Sequence, residues 1–155
     1  MHNTINLVNS WLQDITFDLT LDEDGGTIIQ RDSSTVILIE VMEDTKLCHF
    51  YAPVTALSEY TPTTGLLTAL VMNQYGRQLG GCWLAWDPEI NMLCLCHNLY
   101  LPTADTITFS NTLQNFMIEI DKAREALNNP SQQNPVYQPL LSDVNGLSQN
   151  QTITY

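Results

Sequence analysis

With 155 residues, the chain has the length of one domain, and its 44% apolar content is ordinary for a globular core. Seventeen acidic residues against five basic ones give a net charge of -12, which repels phosphate backbones and anionic membranes and excludes nucleic acid as an expected partner. No run reaches the roughly 20 apolar residues of a membrane span. The start, Met1-His2-Asn3-Thr4, lacks the basic and apolar character of a secretory signal, so a cytoplasmic protein is expected.

Ile5, Val8, Leu12 and Ile15 recur at helical spacing with Leu7 and Trp11 beside them, which predicts an amphipathic helix over residues 4–15. Trp11 can anchor the core or form half of a partner groove. Phe17, Leu19 and Leu21 alternate with Asp18, Thr20 and Asp22, the period of a strand buried on one face. Glu23-Asp24-Gly25-Gly26 turns the chain. A calcium loop fails here, because Gly26 stands where an oxygen ligand is needed and Ser33 where a glutamate is needed. Strands are expected over 27–30, 36–41 and 47–54, joined by polar turns at 31–34 and 43–46 into an antiparallel meander.

Thr61-Pro62 reads as an N-cap followed by proline in the first turn of a second helix, which Gly76 or Gly80-Gly81 ends. Leu66, Leu67, Leu70 and Val71 share one stripe, and Ala69 and Met72 widen it beyond what one core needs. Cys82–Trp86 and Met92–Cys96 then form a hairpin about Asp87-Pro88-Glu89. Both strands are apolar on both faces, so a helix is expected on one side and a second subunit on the other. Leu66, Leu67, Leu70, Val71, Trp83 and Trp86 are the expected interface of a homodimer. From Asp105 a long helix carries Phe109, Leu113, Phe116, Met117, Ile120 and Leu127 to a stop at Asn128-Asn129-Pro130. Residues 130–155 hold Pro, Asn, Gln and Ser with the single charge Asp143, so a domain over 1–129 and a disordered tail over 130–155 are expected.

Groups able to do chemistry are scattered. Cys94 and Cys96 share one face of a strand while His97 points to the other, and Cys48 and His49 diverge in the same way, so neither set closes on a metal or makes a nucleophile and base. The four cysteines read as buried thiols. Gly76 to Gly81 lacks the lysine and spacing of a phosphate loop. No catalytic residue, cofactor or metal is expected.

Tyr51-Ala52-Pro53 closing a strand, Leu66-Leu67 through Asn73 on the middle helix, Leu79-Gly80-Gly81 entering the next strand, and the long helix from Phe109 to Leu127 form one pattern. Over roughly residues 4 to 127 it resembles the class I chaperones of type III secretion, the CesT and SycE-like family. The resemblance implies an α+β fold, an antiparallel sheet flanked by three helices in the order α-β-β-β-α-β-β-α, and a homodimer. It also implies a non-enzymatic role: binding the N-terminal chaperone-binding segment of secreted effectors in extended form and keeping them soluble. The secretion ATPase or sorting apparatus is a further candidate partner. The alternative is a regulatory adaptor of the same fold that sequesters a protein partner. The effector groove is expected between the first helix and the first strands, at Trp11, Phe17, Leu19, Leu38 and Phe50, where apolar area exceeds what a short helix over a small sheet needs.

Overall fold

The structure is a computed structural model in which residues 3–16, 18–57, 62–74 and 78–129 are described. The expected tail, Phe17, the Thr61 cap and Gly76 lie outside the described residues. The chain runs α1 (Asn3–Ile15), β1 (Gly26–Gln30), β2 (Val36–Met42), β3 (Leu47–Ala56), α2 (Pro62–Met72), β4 (Trp83–Asp87), β5 (Met92–Tyr100) and α3 (Thr106–Asn128). The five strands form one antiparallel sheet in the order β1-β2-β3-β5-β4. This is the α+β architecture with three helices that the sequence implies.

Of the strand expected from Phe17 to Asp22, the described residues 18–22 form none. The backbone N–H of Leu21 donates to Asn9 Oδ1 on α1 at 2.7 Å, and Asp22 Oδ1 accepts from the N–H groups of Asp24 and Gly26. Donors that a sheet ladder would use are thus bound to a helix side chain and a turn. Leu21 is buried all the same, by docking the connection beneath α1 rather than by pairing. Gly25 makes the turn possible. Its φ is +88°, and a Cβ there would lie 2.8 Å from the Val41 carbonyl oxygen, so only glycine fits.

Alternation sends Ile37, Ile39 and Val41 of β2 and Cys48, Phe50, Ala52 and Val54 of β3 into the core. Helices α1 and α3 lie across this face and α2 packs against β4 at its flank, so all three bury into one core. An aromatic cluster joins the layers. Phe50 lies 5.7 Å from both Phe109 and Phe116, and Trp11 lies 5.7 Å from Phe109. Each such contact adds about 0.5–1.5 kcal/mol beyond its area burial. On α1 the buried stripe is Val8, Trp11 and Leu12, while Leu7 and Ile15 of the expected apolar set face outward.

Polar contacts fix α3 along the sheet. Arg31 donates to the Met117 carbonyl at 3.0 Å and to Asp121 at 2.8 Å, and Arg124 donates to the Val54 carbonyl and to Oγ1 of the buried Thr35. At its start, Asp105 Oδ1 accepts from both the N–H and the O–H of Thr108 at 2.7 Å, an N-cap that satisfies an otherwise unpaired helix donor.

Phe109→Ala should cost about 3–5 kcal/mol of folding stability, because the side chain is fully buried between Trp11 and Phe50; chemical denaturation measures it. The Thr108 hydroxyl and amide hold the Asp105 carboxyl below its ordinary value. A carboxylate depressed on folding stabilises the fold above its unfolded value and loses that contribution as pH falls through the lower folded value. The melting-temperature gap between the parent and Asp105→Ala should therefore be constant near neutrality and close below about pH 4. A gap that persists in acid would remove the cap from the account.

Candidate functional site

The alternation that fills the core turns a second set of side chains to the opposite sheet face: Leu38, Glu40 and Met42 from β2, His49 and Tyr51 from β3, Cys96 and Asn98 from β5, and Trp83 from β4. These side chains and Ile90 line a depression of about 550 Å³. Among the described residues, no helix packs on this face. The register sets Glu40 opposite His49 and His49 opposite Asn98, one polar row between an apolar row containing Leu38, Tyr51 and Trp83 and another containing Met42, Leu47 and Tyr100. His49 Nε2 and Asn98 Oδ1 are shielded from water and have no hydrogen-bond partner. Beside them, Tyr51 Oη donates to Asp87 Oδ2 at 2.6 Å and accepts from Cys94 Sγ at 2.9 Å. Burial and then the Asp87 bond push the Tyr51 phenol far up, and the same bond holds Asp87 below the usual carboxylate range, so the pair is a neutral phenol on a carboxylate.

A second apolar surface lies on α2 and the outer side of β4. Ala69 and Met72 enter the core and Leu66 and Val71 are half-buried, but Leu67 is 57% exposed, Leu70 65% and Trp86 51%. Strand alternation separates the two tryptophans of β4: Trp86 shares the helix side with Leu84, and Trp83 faces the open side. Asn73, just past α2, closes part of the outer edge of β4. Its Nδ2 donates to the Leu84 carbonyl at 2.9 Å and its Oδ1 accepts the Leu84 N–H at 2.7 Å, so its amide replaces a neighbouring strand. Across the sheet, Asp22 caps the start of the outer edge of β1, its N–H donating to the Gly26 carbonyl and its Oδ1 accepting from the Gly26 N–H, and no described strand pairs with that edge.

Of the four described residues expected to form an effector groove, Leu38 and Phe50 both border the open depression, and Trp11 and Leu19 do not. Trp11 is 5% and Phe50 1% exposed, both in the aromatic core, and Leu19 is half-buried beside α1. Leu38 lies on the far side of the sheet from them, in the open depression. The physical reason is the strand period: Leu38 and Phe50 sit on neighbouring strands, but Leu38 pairs with Tyr51, and Phe50 pairs with the inward-facing Ile39. Glu40, His49, Tyr51, Asp87 and Asn98 were missed by sequence reasoning. The alternation of Ile37, Ile39 and Val41 with Leu38, Glu40 and Met42 was the signal that could have found them.

The cations near the helix layer are engaged: Arg31 with Asp32 and Asp121, Lys122 with Glu119, Arg124 with backbone and hydroxyl oxygens. Among the described residues, no lysine or arginine lines the depression. Burial pushes the thiols of Cys48 and Cys82 up to about 12 and that of Cys96 to about 11, so they stay protonated and weakly nucleophilic near neutrality. Burial also lowers His97, whose ring lies tilted against Phe50 on the helix side, 6.2 Å between centroids. The geometry is that of contact surfaces, with apolar side chains around a few fixed acceptors.

Known structures share the fold. A chain of the ExsC-ExsE complex matches with a TM-score of 0.65 at 15% identity, covering 79% of this chain and 95% of that one. The HopA1-SchA chaperone-effector complex gives 0.61 at 12%, covering 78% and 92%. The ExoU-SpcU complex from the type III secretion system of Pseudomonas aeruginosa gives 0.58 at 18%, covering 77% and 93%. No curated protein sequence matches significantly. The family model of the Tir chaperone proteins matches residues 6–124, nearly the whole described domain, and the chain therefore belongs to the Tir chaperone protein (CesT) family.

Proposed function

We propose that this chain is a non-catalytic chaperone that binds the N-terminal segment of a protein secreted by a type III system, in extended form, and keeps it soluble and competent for secretion in the bacterial cytoplasm. The observation that carries the reading is apolar surface left outside the core on two separate faces of a family member: Leu67, Leu70 and Trp86 on one, Leu38, Met42 and Trp83 on the other. Contiguous apolar surface on a soluble domain marks partner contacts. The solved neighbours include a chaperone-effector complex, which supports an effector as that partner.

The two faces divide the work. The α2 and Trp86 surface seats a second copy about a two-fold axis, which sets the same apolar patch of each copy against the other and removes the exposed leucines from water. Trp83, expected in that interface, belongs in this reading with the client surface, because it opens to the other side. A client segment with no fold of its own adds backbone hydrogen bonds at the free edge of β1, and its apolar side chains settle on the sheet. Affinity is then the sum of many small contacts, which suits a complex that must later be taken apart, whether by the secretion ATPase or by the sorting apparatus.

Leu70→Glu should leave the monomer folded, since the side chain is 65% exposed, and should shift the mass measured by light scattering from dimer to monomer. An unchanged mass would place the dimer elsewhere. Co-expression with a large secreted protein encoded beside this chain should yield a soluble complex that is lost when the client's N-terminal segment is deleted. A client that remains bound without that segment would overturn the reading.

A further inference from the structure

The open-face depression is walled by apolar and aromatic side chains, and the charged groups in its described lining are of one sign. Glu40 and Asp87 are carboxylates, and Asn98 Oδ1 accepts only. His49 Nε2 accepts as well in the tautomer that carries its proton on Nδ1. Asn98 Oδ1 and His49 Nε2 are shielded from water and unpaired, a costly arrangement that a donor would relieve. Among the described residues, no lysine or arginine lines the depression. Trp83, part of the wall at 37% exposure, offers the ring face that attracts a cation.

We infer that this depression is the seat of a basic side chain, arginine above all, carried by the extended segment of a bound protein. Guanidinium fits the set better than an apolar side chain does. It brings five donors and no acceptor, its plane stacks on an indole, and its charge complements Glu40 and Asp87. An apolar occupant would leave the shielded Asn98 Oδ1 without a donor. A second copy of this chain would bring further acceptors and further negative charge to the same row. The inference rests on the chaperone reading and deepens it: the client carries an arginine or lysine at a fixed distance from its apolar anchors.

The test pans a phage-displayed library of random peptides against the full-length chain, Glu40→Gln, Asn98→Leu and Asp14→Asn. Asp14 is exposed on α1, so its variant controls for net charge alone. The parent and Asp14→Asn should select peptides with a basic residue at constant spacing from apolar ones, and the two substitutions in the depression should lose that preference. A synthetic peptide from the parent selection should bind about tenfold more weakly when citrulline replaces its arginine, and by a similar factor to Glu40→Gln, as expected when one charge-assisted hydrogen bond is lost. Melting curves verify that each variant is folded. Selection of apolar peptides without a basic preference, or equal effects of Glu40→Gln and Asp14→Asn, overturns the inference and leaves the chaperone reading intact. No selection at all overturns both. A change of mass in Glu40→Gln with unchanged peptide affinity assigns the face to a second copy and also overturns it.

Discussion

Everything else in the molecule follows from the packing of four rings. Phe50 rises from the middle of β3 into contact with Phe109 and Phe116, and Trp11 from α1 closes on Phe109. That cluster commits one face of the sheet to the helices and fixes which side chain of each strand looks inward. Because the strand period is two, the same choice fixes the outward set without further freedom. The apolar residues at Leu38, Met42 and Trp83 are outward because Phe50 is inward.

Among the described residues, a single helical layer leaves one sheet face uncovered, and that face is neither polar nor uniformly greasy. It holds a polar row between two apolar ones, with a phenol committed to a carboxylate at 2.6 Å beside it. Exposed α2 leucines add a second surface on the other flank. A net charge of -12 keeps such a chain soluble despite both surfaces and favours a partner of opposite sign. The fold thereby supplies what a family of chaperones requires, namely firm packing on one side and accessible contacts on the other.

The long helix α3 and the hairpin about Asp87-Pro88 were legible because their apolar spacing and breakers agree with the final packing. Two boundaries were not. Residues 18–22 have the period of a strand, yet Asn9 of α1 takes the Leu21 N–H, a contact between residues far apart in the chain that periodicity does not record. The strand β5 continues to Tyr100, past the expected end at Cys96, because its apolar pattern breaks at His97 and Asn98 while the ladder with β3 does not. For the candidate site, the sequence showed strands apolar on both faces and an excess of apolar surface, but not which member of each pair was covered. Trp11, Phe50 and Leu38 looked equivalent; only the positions of α1 and α3 separate the first two from the third.

The central claim is that Trp11 belongs to the core while Trp83 belongs to a surface that a client covers. Fluorine NMR of the chain labelled with fluorotryptophan, in the presence of a soluble paramagnetic chelate, tests it in one sample. The account predicts a Trp11 resonance that stays sharp throughout and a Trp83 resonance that is broadened in the free chaperone and recovers when the client's N-terminal segment binds. A Trp11 signal broadened by the chelate, or a Trp83 signal indifferent to the client, would contradict it.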